Sequence, residues 1–176
     1  MLFYAGGTAA YASIYQRYQS WKLDQEVTAP KLIKPPIIEE AVDLHEGNPI
    51  GKLVIPRIGI SVMVLQGIEE STLTVGAGHV PGTPLPGVEG NFVIAAHRDT
   101  FFRKLERILP GDSIQFATAH HSDEYIVESS EIVAPKDTRP MESRARQELT
   151  LITCYPFYFV GAAPKRFIVR AHPPSE

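Results

Sequence analysis

Turn residues punctuate this chain almost from end to end: it carries fifteen prolines and thirteen glycines. Proline fixes φ and removes a backbone donor, and glycine supplies the backbone conformations of tight turns, so the elements between them are short. The remaining segments are rich in Val, Ile and Thr, which suit a pleated, half-buried surface. Together these features point to a mostly-β domain. Strands are expected at 51–55, 60–65, 91–96, 113–119, 124–133, 149–153 and 166–171. The 91–96 run is apolar throughout and reads as a strand buried on both faces. A short helix is expected at 69–75, a helical turn at 100–108, a loop or short helix at 137–146, and a loop over 76–90. Short strands with little helix suggest a barrel or a sandwich.

At 176 residues the chain suits one domain with a sizeable core. A formal net charge of −3 gives no sign of a nucleic-acid partner. The single cysteine, Cys154, excludes an internal disulfide and a cysteine-rich zinc site.

Three regions follow from composition. Residues 1–27 begin without charged side chains as far as Gln16, and Tyr11, Ile14, Tyr15, Tyr18 and Trp21 recur at helical spacing. Aromatic residues of this kind collect at membrane–water interfaces. The uncharged stretch is shorter than the roughly 20 residues a bilayer span needs, and no basic region precedes it. Two readings stand: the outer end of a membrane anchor, or an amphipathic helix packed on the domain. Residues 28–49, with Pro30, Pro35, Pro36 and Pro49, form a spacer, or a strap held by Leu32, Ile33, Ile37 and Ile38. The folded domain is expected over residues 50–173.

Cys154 closes the 149–153 strand, and Pro156 stops that strand just beyond it. A nucleophile needs such a position, fixed but reachable. The alternative is a small hydrophobe in the core, where free cysteine is common. A cysteine nucleophile needs a proton-transfer partner and a group to hold developing negative charge. Of six histidines, His45 lies in the spacer, His172 near the C-terminus, and His120 and His121 in a turn. His79, flanked by glycine and proline, shapes its loop. His97 ends a buried strand, as Cys154 does, so the two can meet on one rim of a barrel; a hydrogen-bonded structural histidine is the alternative. Arg166 opens the last strand with a planar, permanently charged guanidinium, suited to an oxyanion or a peptide carbonyl, or is an exposed strand-end cation.

These residues carry a family resemblance. Thr150-Leu151-Ile152-Thr153-Cys154 resembles the TLxTC signature of sortases. The run from Cys154 through Arg166 to Ala171 is similar to the end of class D sortases. Gly78-His79-Val-Pro-Gly-Thr-Pro-Leu-Pro-Gly87 and Gly90-Asn91-Phe-Val-Ile-Ala-Ala-His97-Arg-Asp-Thr-Phe-Phe also resemble that family, and the likeness covers residues 48–172. Ala96 departs from it, because many members have glycine before the histidine. The N-terminal membrane segment is incomplete by the same standard.

The resemblance implies a closed eight-stranded β-barrel with short helices and a cysteine transpeptidase. It makes Cys154 the nucleophile, His97 the general acid–base and Arg166 the clamp for oxyanion or substrate. Thr153, Ala96, His79 and Tyr155 are supporting or substrate-binding positions, and Asp99 is left as a structural partner in its loop. The implied donors are surface proteins with a C-terminal LPxTG-like or LPxTA-like sorting signal, and the acceptor is an amine on the cell wall, a pilin or another surface component. The place implied is outside the cytoplasm, tethered to the membrane on the N-terminal side. No cofactor is expected. Glu69, Glu70, Asp137 and Glu142 lie near loops, but their spacing is no calcium motif. Two other functions compete: a cysteine hydrolase with the same site, and a non-enzymatic surface domain with Cys154 buried.

Overall fold

The strand-forming segments pair edge to edge until no edge remains. The computed structural model describes residues 2–28 and 44–174. Among these residues the strands are β1 (Pro49–Ile55), β2 (Ile60–Gln66), β3 (Ala77–His79), β4 (Gly90–Ala95), β5 (Ser113–Ala117), β6 (Ser122–Val133), β7 (Gln147–Tyr155) and β8 (Lys165–His172). They close into a barrel in the order β1-β2-β3-β4-β7-β8-β6-β5, the eight-stranded architecture the resemblance implied. Closure removes the open edges that invite pairing with other chains. The β2–β3 and β4–β7 pairs are parallel, and the rest are antiparallel.

Alternate strand positions fill the interior. Leu53 and Ile55 of β1, Phe92 and Ile94 of β4, Ile114 and Phe116 of β5, and Leu149 and Leu151 of β7 meet in one core. The Phe92 and Phe116 rings meet edge to face, with centroids 5.0 Å apart. Each such side chain contributes about 1.5–3 kcal/mol by leaving water. Phe102 and Leu105, on and beside the 3₁₀ turn Arg103–Arg107, plug this core from outside the sheet. That turn occupies part of the helical stretch expected at 100–108.

One expectation is corrected. The 76–90 segment was read as loop, yet its first residues form β3, three residues long. β3 is held by its partners rather than by propensity: it pairs with β2 from Val64↔Ala77 to Gln66↔His79 and with β4 at Gly78↔Ala95. Glycine is required at 78, because a Cβ there would lie 2.1 Å from the Gly67 carbonyl oxygen.

A helix does form at the N-terminus: α1 spans Leu2–Thr28. It packs on the barrel, with Ala12 and Leu23 buried, but the aromatic stripe faces outward, leaving Tyr11, Ile14, Tyr18 and Trp21 exposed. The docking contact is polar. Met63 lies one residue short of the β2–β3 ladder, and its backbone N–H donates to Gln16 Oε1 at 2.6 Å. The same amide donates through Nε2 to the Val75 carbonyl at 2.5 Å, at the end of α2 (Glu70–Val75). Gln16 thereby satisfies two backbone groups that would otherwise be orphaned beneath the helix. No helix among the described residues is long and apolar enough to cross a membrane. Most of the spacer expected over 28–49 lies outside the described residues. Its end joins the barrel, where Gly47 N–H donates to Gln66 O at 2.8 Å and Gln66 N–H to Asn48 O at 2.7 Å.

Candidate active site

Strand alternation decides which side chains turn outward. Phe92, Ile94 and Ala96 join the core from β4 and the residue after it, so the pleat carries His97 to the outer face. On β7, Leu149 and Leu151 point inward, which turns Ile152 and Cys154 outward. On β8, Val169 and Ala171 belong to the core and Phe167 packs against it, which leaves Arg166 outside. Three neighbouring strands therefore present the three residues singled out in the sequence on one face.

Register brings them to one end. β4 and β7 are parallel with Ala95 opposite Ile152, and Ala96 N–H extends the ladder by donating to Ile152 O at 3.2 Å. His97 and Cys154 each lie two residues beyond the Ala95–Ile152 pair. β8 runs antiparallel to β7 with Arg166 opposite Cys154. Adjacent strands lie about 4.8 Å apart, so all three side chains open onto the same short stretch of rim. Thr153 ties the two parallel strands together: its buried hydroxyl donates to the Ala96 carbonyl at 2.7 Å.

Each group has its own surroundings. Cys154 is half-buried. His97 Nε2 lies 3.6 Å from Glu70 Oε1 on α2. The Glu70 side chain is 83% exposed, so this pair contributes little to stability. The Arg166 guanidinium turns back on its own loop, donating from Nη1 to Lys165 O at 3.0 Å and to Ala163 O at 3.3 Å. Tyr155 joins a ring cluster, stacked on Phe167 at 6.4 Å and edge-on to Phe157 at 6.0 Å. Beside His97 a cleft of about 950 Å³ runs between α1 and α2, with Gln16, Arg17, Glu70, Asp99 and Phe101 among its walls.

His79 is engaged elsewhere. It is buried on β3, with Nδ1 2.7 Å from Gln66 Oε1 and Nε2 2.9 Å from Thr83 Oγ1. Burial holds its pKa below the ordinary value, against opposing hydrogen bonds to the Thr83 and Pro84 backbone carbonyls. Nδ1 serves the end of β2, and Nε2 the loop that follows β3. Among the described residues no group of three or more His, Cys, Asp or Glu is placed to hold a metal. Of the acids near loops, Asp137 is taken by Arg139, whose Nε donates to it at 2.9 Å. Sequence reasoning missed Glu70 as the neighbour of His97, and no periodicity or motif would have found it. The two meet only because β2, α2 and β3 bring α2 beside the end of β4.

A family model described as "Sortase domain" matches residues 53–174. The chain belongs to the sortase family. Sortase D of Bacillus subtilis (strain 168) is 34% identical over 124 residues, covering 70% of this chain and 63% of that protein. The chain thus spans less than two thirds of that relative's length. Sortase A of Bacillus anthracis is 28% identical over 191 residues, covering 96% and 89%. Among solved structures, a Clostridium perfringens Sortase D5 transpeptidase superposes with a TM-score of 0.69 at 26% identity, covering 76% of this chain and 83% of that one. The likeness to Sortase D supports the class D-like resemblance. Sortases as a family are cysteine transpeptidases.

Proposed function

We propose that this chain is a transpeptidase that cleaves an LPxTG-like or LPxTA-like sorting signal after its threonine and passes the acyl group to a surface amine. The observation that carries the reading is the convergence of His97, Cys154 and Arg166 on one face and one end of β4, β7 and β8.

In this reading the Cys154 sulfur, as thiolate, attacks the threonine carbonyl carbon, and the carbonyl π electrons move to oxygen. Arg166 swings from the Ala163 and Lys165 carbonyls to hold that oxyanion, offering fixed, charged donors where negative charge develops. Collapse of the tetrahedral species breaks the C–N bond, and protonated His97 supplies the proton to the leaving amine. A thioester to Cys154 remains. His97, now neutral, takes a proton from the incoming neutral amine as it attacks. The amine attacks, the C–S bond breaks, and the thiolate is restored. Thr153 fixes the separation of the two strand ends through its bond to Ala96. Charge balance closes over these residues without a metal or cofactor.

Water competes for the thioester. It is present at roughly 55 M, so the amine prevails only if the groove orients it, and positioning supplies effective molarities of about 10⁵ M or more. A sorting-signal peptide alone is therefore hydrolysed slowly. A glycine peptide or hydroxylamine speeds its consumption and diverts product to amide or hydroxamate, measured by mass spectrometry across acceptor concentrations. Release of threonine-terminated acid at an unchanged rate, with no amide at any acceptor level, favours a hydrolase instead.

The proposed site of action is the membrane surface outside the cytoplasm, and α1 is what supports it. Its exposed Tyr11, Ile14, Tyr18 and Trp21 form the kind of aromatic face that sits at a bilayer surface, which supports an enzyme held at the membrane outside the cytoplasm. Fractionation of cells expressing the full-length gene product tests this. Activity confined to the cytosolic fraction sinks it.

A further inference from the structure

The loop over residues 156–164 joins the strand that carries Cys154 to the strand that carries Arg166. Among the described residues this loop makes no backbone–backbone hydrogen bond of its own. Its tip is apolar and open to solvent: Tyr158 is 69% exposed, Phe159 43% and Val160 98%. Such a segment collapses or wanders unless side chains hold it.

Side chains do hold it, and they come from the residues that follow His97. Arg98 Nη2 donates to Phe159 O at 2.6 Å and to Gly161 O at 3.1 Å. Its guanidinium carbon lies 5.8 Å from the centre of the Phe159 ring. Arg103 stands over the Tyr158 ring at 4.8 Å, and the Tyr158 hydroxyl donates to Glu106 Oε1 at 2.9 Å. Arg98 is adjacent in sequence to His97 and grips the backbone at the loop tip, while Arg166 takes the Ala163 carbonyl near the loop's end.

We propose that Arg98 is a positioning residue for the acyl-donor peptide: it fixes the 156–164 loop as a wall of the groove beside Cys154. One bracket of the fork takes two carbonyls at the loop tip, so the backbone path is set whatever the loop side chains do. The peptide then meets a preformed wall and does not have to order one, which lowers the entropic cost of binding. Arg98 acts through the loop and touches no reacting atom. Its contribution falls on ground state and transition state alike, so it governs KM more than kcat.

One feature separates this role from simple structural support. Arg98 Nη1 is buried and has no hydrogen-bond partner. An unpaired buried donor on a charged group costs free energy that offsets much of what the two carbonyl bonds contribute. Loss of Arg98 therefore disturbs the loop far more than it disturbs the barrel.

The test uses Arg98→Ala and Arg98→Lys in the full chain. Chymotryptic cleavage in the loop, which offers Tyr158 and Phe159, is expected to quicken by about tenfold or more in Arg98→Ala, with the barrel left intact. KM for an LPxTx peptide is expected to rise by about tenfold while kcat stays within about threefold, and the melting temperature to move by no more than about 2 °C. Arg98→Lys, whose ammonium is a point donor, falls between the two. Unchanged loop cleavage overturns the proposal, and so does a fall in kcat and melting temperature at constant KM. The kinetic arm rests on the transpeptidase reading. If the wild-type chain transfers no acyl group, that reading fails by itself, while the cleavage measurement still decides whether Arg98 holds the loop.

Discussion

Cys154→Ala yields a folded barrel that transfers no acyl group. The loss in kcat/KM is expected to be at least about 10³-fold, because no other thiol exists to form the thioester and water cannot reach the same intermediate. The fold is spared for a reason visible in the sheet. Cys154 lies on the outer face, half-buried, opposite Arg166 at the rim, while the core is filled from the alternate positions Leu149 and Leu151. Truncating the thiol therefore opens no cavity among the core side chains, and stability is expected to change by no more than about 0.5 kcal/mol. Intact-mass spectrometry after incubation with a sorting-signal peptide reads the acyl adduct, and a thermal melt reads the fold. An acylated Cys154→Ala protein would place the nucleophile elsewhere.

Arg166→Lys retains the charge and still loses most of the activity, by about 10²-fold, the scale on which removal of one oxyanion donor acts. Lysine offers a point charge on a flexible stem where arginine offers a planar fork, and only the fork can present two donors in fixed directions. The structure sharpens this test. With no substrate bound, the guanidinium rests on the carbonyls of Ala163 and Lys165, so it must leave them to reach an oxyanion beside Cys154. An arginine that served only that resting contact would be replaced by lysine at small cost, since an ammonium also donates to a backbone carbonyl. Single-turnover acylation rates separate the two roles. Wild-type acylation by Arg166→Lys removes the clamp from the mechanism and leaves a loop-bracing arginine.

Much of the rim was legible before the fold was in hand, and the reasons are local. The 149–153 strand announces itself by alternation and β-branched residues, and Pro156 marks its end; β7 runs Gln147–Tyr155. The apolar run at 91–96 reads as a strand covered on both faces, and β4 is buried along nearly its whole length. Strand ends can be read, so residues at strand ends can be nominated. What could not be read depends on partners distant in sequence. β3 is three residues long and includes a glycine, and only its neighbours on either side make it a strand. The helical spacing of Tyr11, Ile14, Tyr15, Tyr18 and Trp21 foretells α1, but hydrophobicity suggests the wrong docking face. The barrel takes Gln16 because two backbone groups need an amide, and most of the aromatic stripe is left to solvent. Glu70 and Arg98 carry no motif at all. Each gains its place from packing between segments that no linear pattern connects.

The parallel pairing of β4 with β7 has a consequence for the order in which the protein becomes competent. Two parallel neighbours cannot be joined by a tight turn, and here the connection runs through β5, β6 and their loops, more than a quarter of the chain. His97 leaves the ribosome long before Cys154, and Arg166 follows 12 residues after the thiol. Non-local pairings of this kind form late, after the entropy of closing a long loop has been overcome. A nascent chain without β8 has neither the strand that closes the barrel between β7 and β6 nor the guanidinium opposite the thiol. The thiol and the histidine are synthesised apart and become a pair only when β4 and β7 align, so a polypeptide that has not yet closed its barrel carries a cysteine without the groups around it to cleave a peptide.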